Sequence, residues 1–190
     1  MNKYYIINSL NEIDLQMVVN DYLESFTKER LLIHTTYEKL KEFEIRFSKR
    51  DIHHLLGFHK VINKNNNATK TLQSILEGNL TIKEMRKHPN FGEIKNRLLN
   101  YNFLHKCFID KKIKLCVIPK EKNKNPQKLE VVFIDHHNDI RMLLGLKMDY
   151  SKKYYVPATM YQMNDSSVYN RTKRTNITSI EWKPYQHSPN

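Results

Sequence analysis

Residues 129–146 have the sequence LEVVFIDHHNDIRMLLGL, in which two apolar runs flank a short polar stretch. The runs at 129–134 and 140–146 are rich in Val, Ile, Leu and Phe, a composition typical of strands. Parallel strands need a crossover of a dozen or more residues, so a connection as short as 135–139 joins antiparallel neighbours. The segment therefore predicts a β-hairpin.

Further strand-like segments lie on both sides of this hairpin. Residues 112–118 precede it and are stopped by Pro119, and residues 154–161 and 177–182 follow it. Pro157 marks the 154–161 segment as an edge strand or a bulge, because proline has no N–H to donate to a strand ladder. With no helical pattern between them, these segments predict a four- to five-stranded antiparallel meander.

The part of the chain before residue 109 has a different pattern. Apolar residues recur there mainly at helical spacing. Residues 42–47 alternate instead, which predicts a strand with Phe43, Ile45 and Phe47 inward. The short apolar run at 30–34 fits either class. The predicted helices are 10–26, 49–62, 71–76, 81–87 and 94–108.

These two parts lead to one prediction for the fold. At 190 residues the chain is long enough for one domain with a substantial core. We expect a single domain, residues 1–190, of the α+β class. In it, a mainly helical part (1–108) packs on the four- to five-stranded antiparallel meander of residues 109–190.

The net charge of +12 is the strongest global feature. It favours a polyanionic partner, nucleic acid first, although a lysine-rich genome would raise the charge as well. No apolar run approaches the ~18 residues of a membrane helix, and the N-terminus lacks a signal-peptide pattern. We therefore expect a cytoplasmic protein with no membrane partner, in which Cys107 and Cys116 are small buried hydrophobes.

Residues 47–59, FSKRDIHHLLGFH, contain three histidines beside two cations. On a helical wheel His59 falls within the apolar face and is predicted to be buried. His53 and His54 fall on the other side with Lys60, where they can reach solvent or a substrate. Histidine both takes and gives a proton near neutral pH, so the pattern suggests phosphodiester chemistry on RNA. The alternative is a pair of surface histidines on a solvated helix.

At this point the chain resembles a phage-associated branch of the barnase–EndoU–colicin–RelE-like nucleases. Residues 54–57, His-Leu-Leu-Gly, are similar to that branch's His-Leu-x-Gly helix start. Residues 155–159, Tyr-Val-Pro-Ala-Thr, are similar to its late Tyr-x-Pro-x-Thr strand. The resemblance covers residues 42–185 and implies a metal-independent endoribonuclease of phage, toxin or defence type, acting in a bacterial or phage-infected cell. Where the branch more often has Pro-Arg-Thr, this chain has Ala158, which removes one phosphate contact.

Metal-free RNA cleavage needs a base, an acid and a cation that steadies the phosphorane. We predict His54 as base or acid and Arg46 as the phosphate-binding cation. Thr159 and Tyr155 are predicted donors on one side of their strand. The predicted substrate-binding residues are Lys49, His53, Lys152, Lys153, Arg171, Lys173 and Trp182.

Several of these residues also have ordinary structural interpretations. Thr159 can be a plain strand threonine, and Trp182 can be a core residue rather than a platform for an RNA base. A zinc site built from Cys107, Cys116, His136 and His137 matches no ligand spacing. We expect no cofactor and no metal.

Two further functions stay open at this point. The first is a catalytically silent module that binds RNA, a host protein or an antitoxin-like protein through a basic sheet face. The second is a structural phage or mobile-element protein whose charge reflects genome composition. The sequence does not indicate an oligomeric state.

Overall fold

The computed structural model describes residues 4–62, 67–119 and 125–185. The polar loops predicted at 63–67 and 120–128 lie mainly outside these ranges. The strands are β1 Arg30–Thr35, β2 Glu42–Ile45, β3 Leu115–Val117, β4 Val131–His137, β5 Ile140–Asp149, β6 Tyr154–Gln162 and β7 Arg174–Lys183. The helices are α1 Leu15–Phe26, α2 Asp51–Leu55, α3 Ala68–Leu76, α4 Ile82–Arg86, α5 Phe91–Leu99 and α6 Phe103–Phe108.

Within the described residues the strands form a closed barrel in the order β1-β2-β6-β5-β4-β3-β7, with β7 paired back to β1. All neighbouring pairs are antiparallel except β2 and β6, which are parallel. The prediction of a four- to five-stranded antiparallel meander is therefore wrong. Within the described residues, β3 to β6 run as consecutive antiparallel neighbours, and β1 and β2 form a separate antiparallel pair.

The strands that close the barrel come from both ends of the chain. β1, the segment of ambiguous class, alternates half-buried and buried residues, with Leu31 and Ile33 fully buried. It pairs with β2 on one side and with β7 on the other. β7 also pairs with β3. A strand with a neighbour on each side leaves no free edge, so pairing between distant segments turns the predicted meander into a barrel.

The hairpin predicted at 129–146 is confirmed, with a tighter turn than expected. β4 continues to His137, which pairs with Ile140 of β5. Asn138 and Asp139 make the turn, with φ of 50° and 58°. Positive φ at both central residues is the geometry of a type I′ turn, whose twist matches that of the flanking strands.

The helices also differ from the predicted spans. α1 begins at Leu15, because the Asp14 carboxylate accepts hydrogen bonds from the N–H groups of Gln16 and Met17 and caps it there. The helix predicted at 94–108 is two helices, α5 and α6. The capping box predicted at Thr81 and Glu84 is confirmed at the start of α4.

The main core joins the helices to one face of the sheet. Phe43, Ile45 and Phe47 are buried in it, as the alternation at 42–47 predicts. Phe47 lies at the centre of an aromatic group, 5.3 Å from Phe26 and 5.5 Å from Phe108 between ring centroids. On the other face of the sheet lies a second buried cluster, made of Val117, Leu129, Val132, Ile134, Leu143, Met163 and Tyr169.

Asp21 of α1 and His105 of α6 form a buried pair under the N-terminal segment. Their Oδ2 and Nε2 atoms are 2.9 Å apart, and Asp21 also accepts hydrogen bonds from the Tyr101 hydroxyl and the Tyr5 N–H. Burial by itself raises the pKa of Asp21. The hydrogen bond and charge of His105, together with the two other donors, lower that pKa below its usual value. Ionised Asp21 therefore stabilises the fold.

Replacing Asp21 with Asn should lower the free energy of unfolding by about 1–3 kcal/mol at neutral pH, because hydrogen bonds to a charged group are lost. A carboxyl whose folded pKa is lowered stabilises above its unfolded pKa and loses that effect as pH falls through the folded pKa. The difference between wild type and Asp21→Asn should therefore shrink below about pH 4. Urea unfolding at several pH values measures it. A difference in unfolding free energy that stays constant at acidic pH would contradict a stabilising role for ionised Asp21.

Among the described residues, no helix is both long and apolar enough to cross a membrane.

Candidate active site

The stretch 47–60 folds into a reversal rather than one long helix. The Asp51 carboxylate, at the first residue of α2, accepts hydrogen bonds from the N–H and hydroxyl of Ser48 and so fixes the turn before the helix. α2 ends at Leu55, and Gly57 follows with φ 76°, a left-handed conformation that favours glycine. A single 3₁₀ turn, Phe58–Lys60, then runs back along the helix. A Cβ at position 57 would lie 2.9 Å from Ile94 Cγ2, so α5 packs directly against this turn.

This reversal brings His53, His54 and His59 together. The ring centroids are 5.4 Å apart for His53 and His54, and 5.2 Å apart for His54 and His59. His54 is exposed, as predicted. His53 and His59 are reversed relative to the prediction, because His53 is buried and His59 is exposed. The helical wheel fails for His59 because Gly57 breaks the helix and changes the direction of every side chain after it. His53 precedes that break, and its ring packs against the rings of Phe58 and His59 from the segment that follows.

The three rings have different electrostatic surroundings. Burial lowers the pKa of His53 to about 4, with further lowering from the charges of His54 and His59. His53 is therefore neutral at physiological pH, and both of its ring nitrogens lack a hydrogen-bond partner among the described residues. Burial also lowers the pKa of His59, again helped by the charge of His54, although a hydrogen bond to the backbone of His53 opposes this.

The surrounding helices hold the reversal in place. The Arg97 guanidinium, on α5, donates hydrogen bonds to the carbonyl oxygens of His54 and Leu55, at 3.2 and 3.4 Å. Both carbonyls lie at the C-terminal end of α2, where carbonyl groups lack partners inside the helix, and that of His54 also accepts a hydrogen bond from the Gly57 N–H. Lys60 and Glu93 form an ion pair of 2.5 Å between the 3₁₀ turn and α5. Arg97 and Glu93 therefore position the histidines, a role that the sequence pattern did not indicate.

Arg46, the predicted phosphate ligand, lies near the start of α2 but is already engaged. Its guanidinium pairs with Glu44 and lies 4.4 Å above the ring of Tyr154. Lys49 and Arg50, in the turn before α2, are exposed and make no ion pair within the described part of the chain. Unlike Arg46, they have no acidic partner among the described residues.

Tyr155 and Thr159 lie on opposite faces of the sheet, so the prediction that they share one side is wrong. The register between β5 and β6 shifts by one residue after Gly145, and Ala158 is the extra residue. Tyr155 is buried in the main core, where burial raises its pKa to about 12. Thr159 pairs with Gly145 on the side of the second cluster, and that glycine faces Leu129. The bulge fits the expectation of an edge or bulge at Pro157.

The predicted substrate-binding cations do not form one patch on a single element. Lys152 and Lys153 are exposed in the turn between β5 and β6. Arg171 and Lys173 are exposed in the segment that joins β6 to β7. Trp182 packs against Phe26 and Phe47 and donates a hydrogen bond to the Phe108 carbonyl, which agrees with the core interpretation rather than a base platform.

A groove of about 830 Å³ opens beside Tyr155. Its lining combines tyrosine rings with lysines, the two side-chain types that contact bases and phosphates in single-stranded nucleic acid. One acidic residue, Glu130, also lines it. The aromatic and basic members are Tyr37, Tyr150, Tyr155, Lys39, Lys128 and Lys147.

The described residues bring one group of potential metal ligands together, and it is the histidine triad. The ligand atoms of His53, His54 and His59 all lie within 4.8 Å of one another. Cys107 and Cys116 are both buried with unbonded thiols, and burial raises the pKa of each. They act as hydrophobic residues, as expected.

Comparison with known proteins identifies the family. A family model described as phage-Barnase-EndoU-ColicinE5/D-RelE like nuclease4 matches residues 14–188, which is most of the chain. No curated protein and no solved structure matches the chain. The matched range includes α2, the histidine triad and every strand of the barrel. The chain therefore belongs to the phage-Barnase-EndoU-ColicinE5/D-RelE like nuclease4 family.

Proposed function

We propose that the chain is an endoribonuclease that cleaves RNA by attack of the 2′-hydroxyl, without a metal ion. Membership of a nuclease family supports phosphodiester cleavage as the general activity. Metal-free attack by the 2′-hydroxyl of RNA is supported by the exposed pair His54 and His59, whose ring centroids are 5.2 Å apart. Two imidazoles at this separation can act on the two oxygens on either side of one phosphorus atom.

The chemistry assigns a distinct role to each group. One histidine takes the proton of the 2′-hydroxyl, and the 2′-oxygen then forms a bond to phosphorus. The other histidine gives a proton to the 5′-oxygen as its bond to phosphorus breaks. Lys49 and Arg50 neutralise the charge on the phosphorane oxygens. The products are a 2′,3′-cyclic phosphate and a free 5′-hydroxyl.

The predicted products distinguish this mechanism from metal-assisted hydrolysis. Purified chain incubated with RNA in EDTA should cleave it and leave 2′,3′-cyclic phosphate ends, because the nucleophile belongs to the RNA. A substrate with 2′-deoxyribose at the scissile nucleotide should resist cleavage. End-group analysis by mass spectrometry measures both results. Products with 5′-phosphates, or activity that disappears in EDTA, would overturn the mechanism.

RNA binding should depend steeply on salt, since neutralised phosphates release counterions. Replacing Lys152 and Lys153 with Ala should reduce the slope of log K against log salt by roughly 1.4, as each contact on a single strand contributes about 0.7. Titration of labelled RNA measures this slope. Lys83→Ala, an exposed lysine on α4, is the matched control. An unchanged slope in the double variant would remove these lysines from the RNA-binding surface.

A catalytically silent RNA-binding module is the second candidate. The groove beside Tyr155 favours it, because tyrosines and lysines line that groove independently of the histidines. This candidate predicts tight RNA binding and no cleavage in EDTA or with added metal. Binding of a host or antitoxin-like protein in place of RNA would appear as weak, non-specific RNA affinity.

A further inference from the structure

The triad of His53, His54 and His59 has a feature that proton transfer does not use. His53 is only 4% exposed, and within the part of the chain that the structure describes neither of its ring nitrogens has a hydrogen-bond partner. A buried polar group without a partner costs about 1–3 kcal/mol, so such groups are uncommon in native proteins. The exposed rings of His54 and His59 lie beside it, and the three ligand atoms are within 4.8 Å of one another.

We propose that the triad binds a divalent transition-metal ion of the zinc class. Imidazole nitrogen suits zinc, copper and nickel, whereas magnesium and calcium prefer oxygen ligands. Three nitrogens around one zinc ion lie about 3.3 Å apart, given Zn–N bonds of about 2.0–2.1 Å and tetrahedral angles. The exposed rings of His54 and His59 close the remaining distance by side-chain rotation, while buried His53 stays in place.

The surroundings of the triad support a metal ion there. A metal ion would satisfy one of the unpartnered nitrogens of His53. A hydrogen bond to the backbone of His53 engages the ring of His59, an outer contact of the kind that orients metal-bound histidines. Asp51 and Glu93 interact electrostatically with His54 and His59, respectively, and they offset part of the positive charge of Arg97 and Lys60, which also act on His59. Solvent would take the fourth coordination position.

Metal binding and metal-free cleavage compete for the same side chains. An ion held by His54 and His59 occupies the lone pairs that proton transfer needs. Zinc should therefore slow the cleavage proposed above, and this consequence alone rests on the proposed function. Because binding can be measured without RNA, the site and the mechanism can fail separately.

The test is a calorimetric titration of the full chain, stripped of metal, with Zn²⁺ in the absence of RNA. We expect about one equivalent to bind, and His54→Ala and His59→Ala each to weaken binding by more than about tenfold. Both residues are exposed, so these variants should fold, which a melting curve checks. His136→Ala removes an exposed histidine elsewhere and should bind Zn²⁺ as the wild type does. Mg²⁺ should not bind at the site.

Several outcomes would overturn the metal site. They are the absence of stoichiometric Zn²⁺ binding to the wild type, undiminished binding in both triad variants, and an equal loss in His136→Ala. If Zn²⁺ binds as expected but accelerates cleavage, the site stands and the metal-free mechanism fails.

Discussion

Replacing His54 with Ala is expected to slow RNA cleavage by ~10²–10⁴-fold while RNA binding persists, because a general acid or base typically contributes that much. His59→Ala should give a loss of similar size, since its ring lies 5.2 Å from that of His54 and is also exposed. The double variant should lose little more than either single variant, as the two groups act in one step. Single-turnover cleavage and RNA affinity, measured in EDTA, separate catalysis from binding.

His136→Ala is the matched control, because it removes an exposed histidine at the end of β4 and outside the triad. It should cleave RNA at the wild-type rate. If His59→Ala were fully active while His54→Ala was not, His54 would act with a different partner. If both variants kept full activity, the triad would not be the active site.

Phe47→Ala is expected to lower the free energy of unfolding by about 3–5 kcal/mol, the usual cost of removing a fully packed aromatic ring. Phe47 lies in the segment between β2 and α2, and its ring contacts those of Phe26, Phe108 and Trp182. The melting temperature should fall by about 10 °C for a chain of this length. Thermal and urea unfolding measure the change.

Tyr150→Ala provides the comparison, since this ring is 77% exposed. It should change the free energy of unfolding by about 0.5 kcal/mol or less. A loss for Phe47→Ala no larger than that for Tyr150→Ala would contradict the central position of Phe47. Because the variant is destabilised, we also expect Phe47→Ala to reduce cleavage in proportion to the fraction of chain that is unfolded.

Local sequence patterns correctly predicted the features that depend on residues close together in the chain. The β4–β5 hairpin follows from two apolar runs and a short polar turn, and the α4 capping box from Thr81 and Glu84. Alternation at 42–47 predicted the buried face of β2. The exposure of His54 was also predicted from residues close in sequence.

The histidine site shows where such patterns stop being sufficient. The wheel over 49–62 assumes one continuous helix, but Gly57 adopts a left-handed conformation and ends it. A glycine is compatible with either outcome. Here the packing of Ile94 and Arg97 against the turn favours the reversal. The reversal leaves His59 exposed and places its ring beside those of His53 and His54, which creates the triad.

The sequence alone determined the apolar strands of the second half, the basic charge and the family resemblance, because these depend on composition and short-range order. Only the tertiary structure decided that β1 and β2 join those strands through β7 and a parallel β2–β6 pair. It also decided that a one-residue bulge separates Tyr155 from Thr159. Barrel closure and strand register depend on backbone hydrogen bonds between residues far apart in the chain, and side-chain periodicity within one segment carries no information about its distant partner.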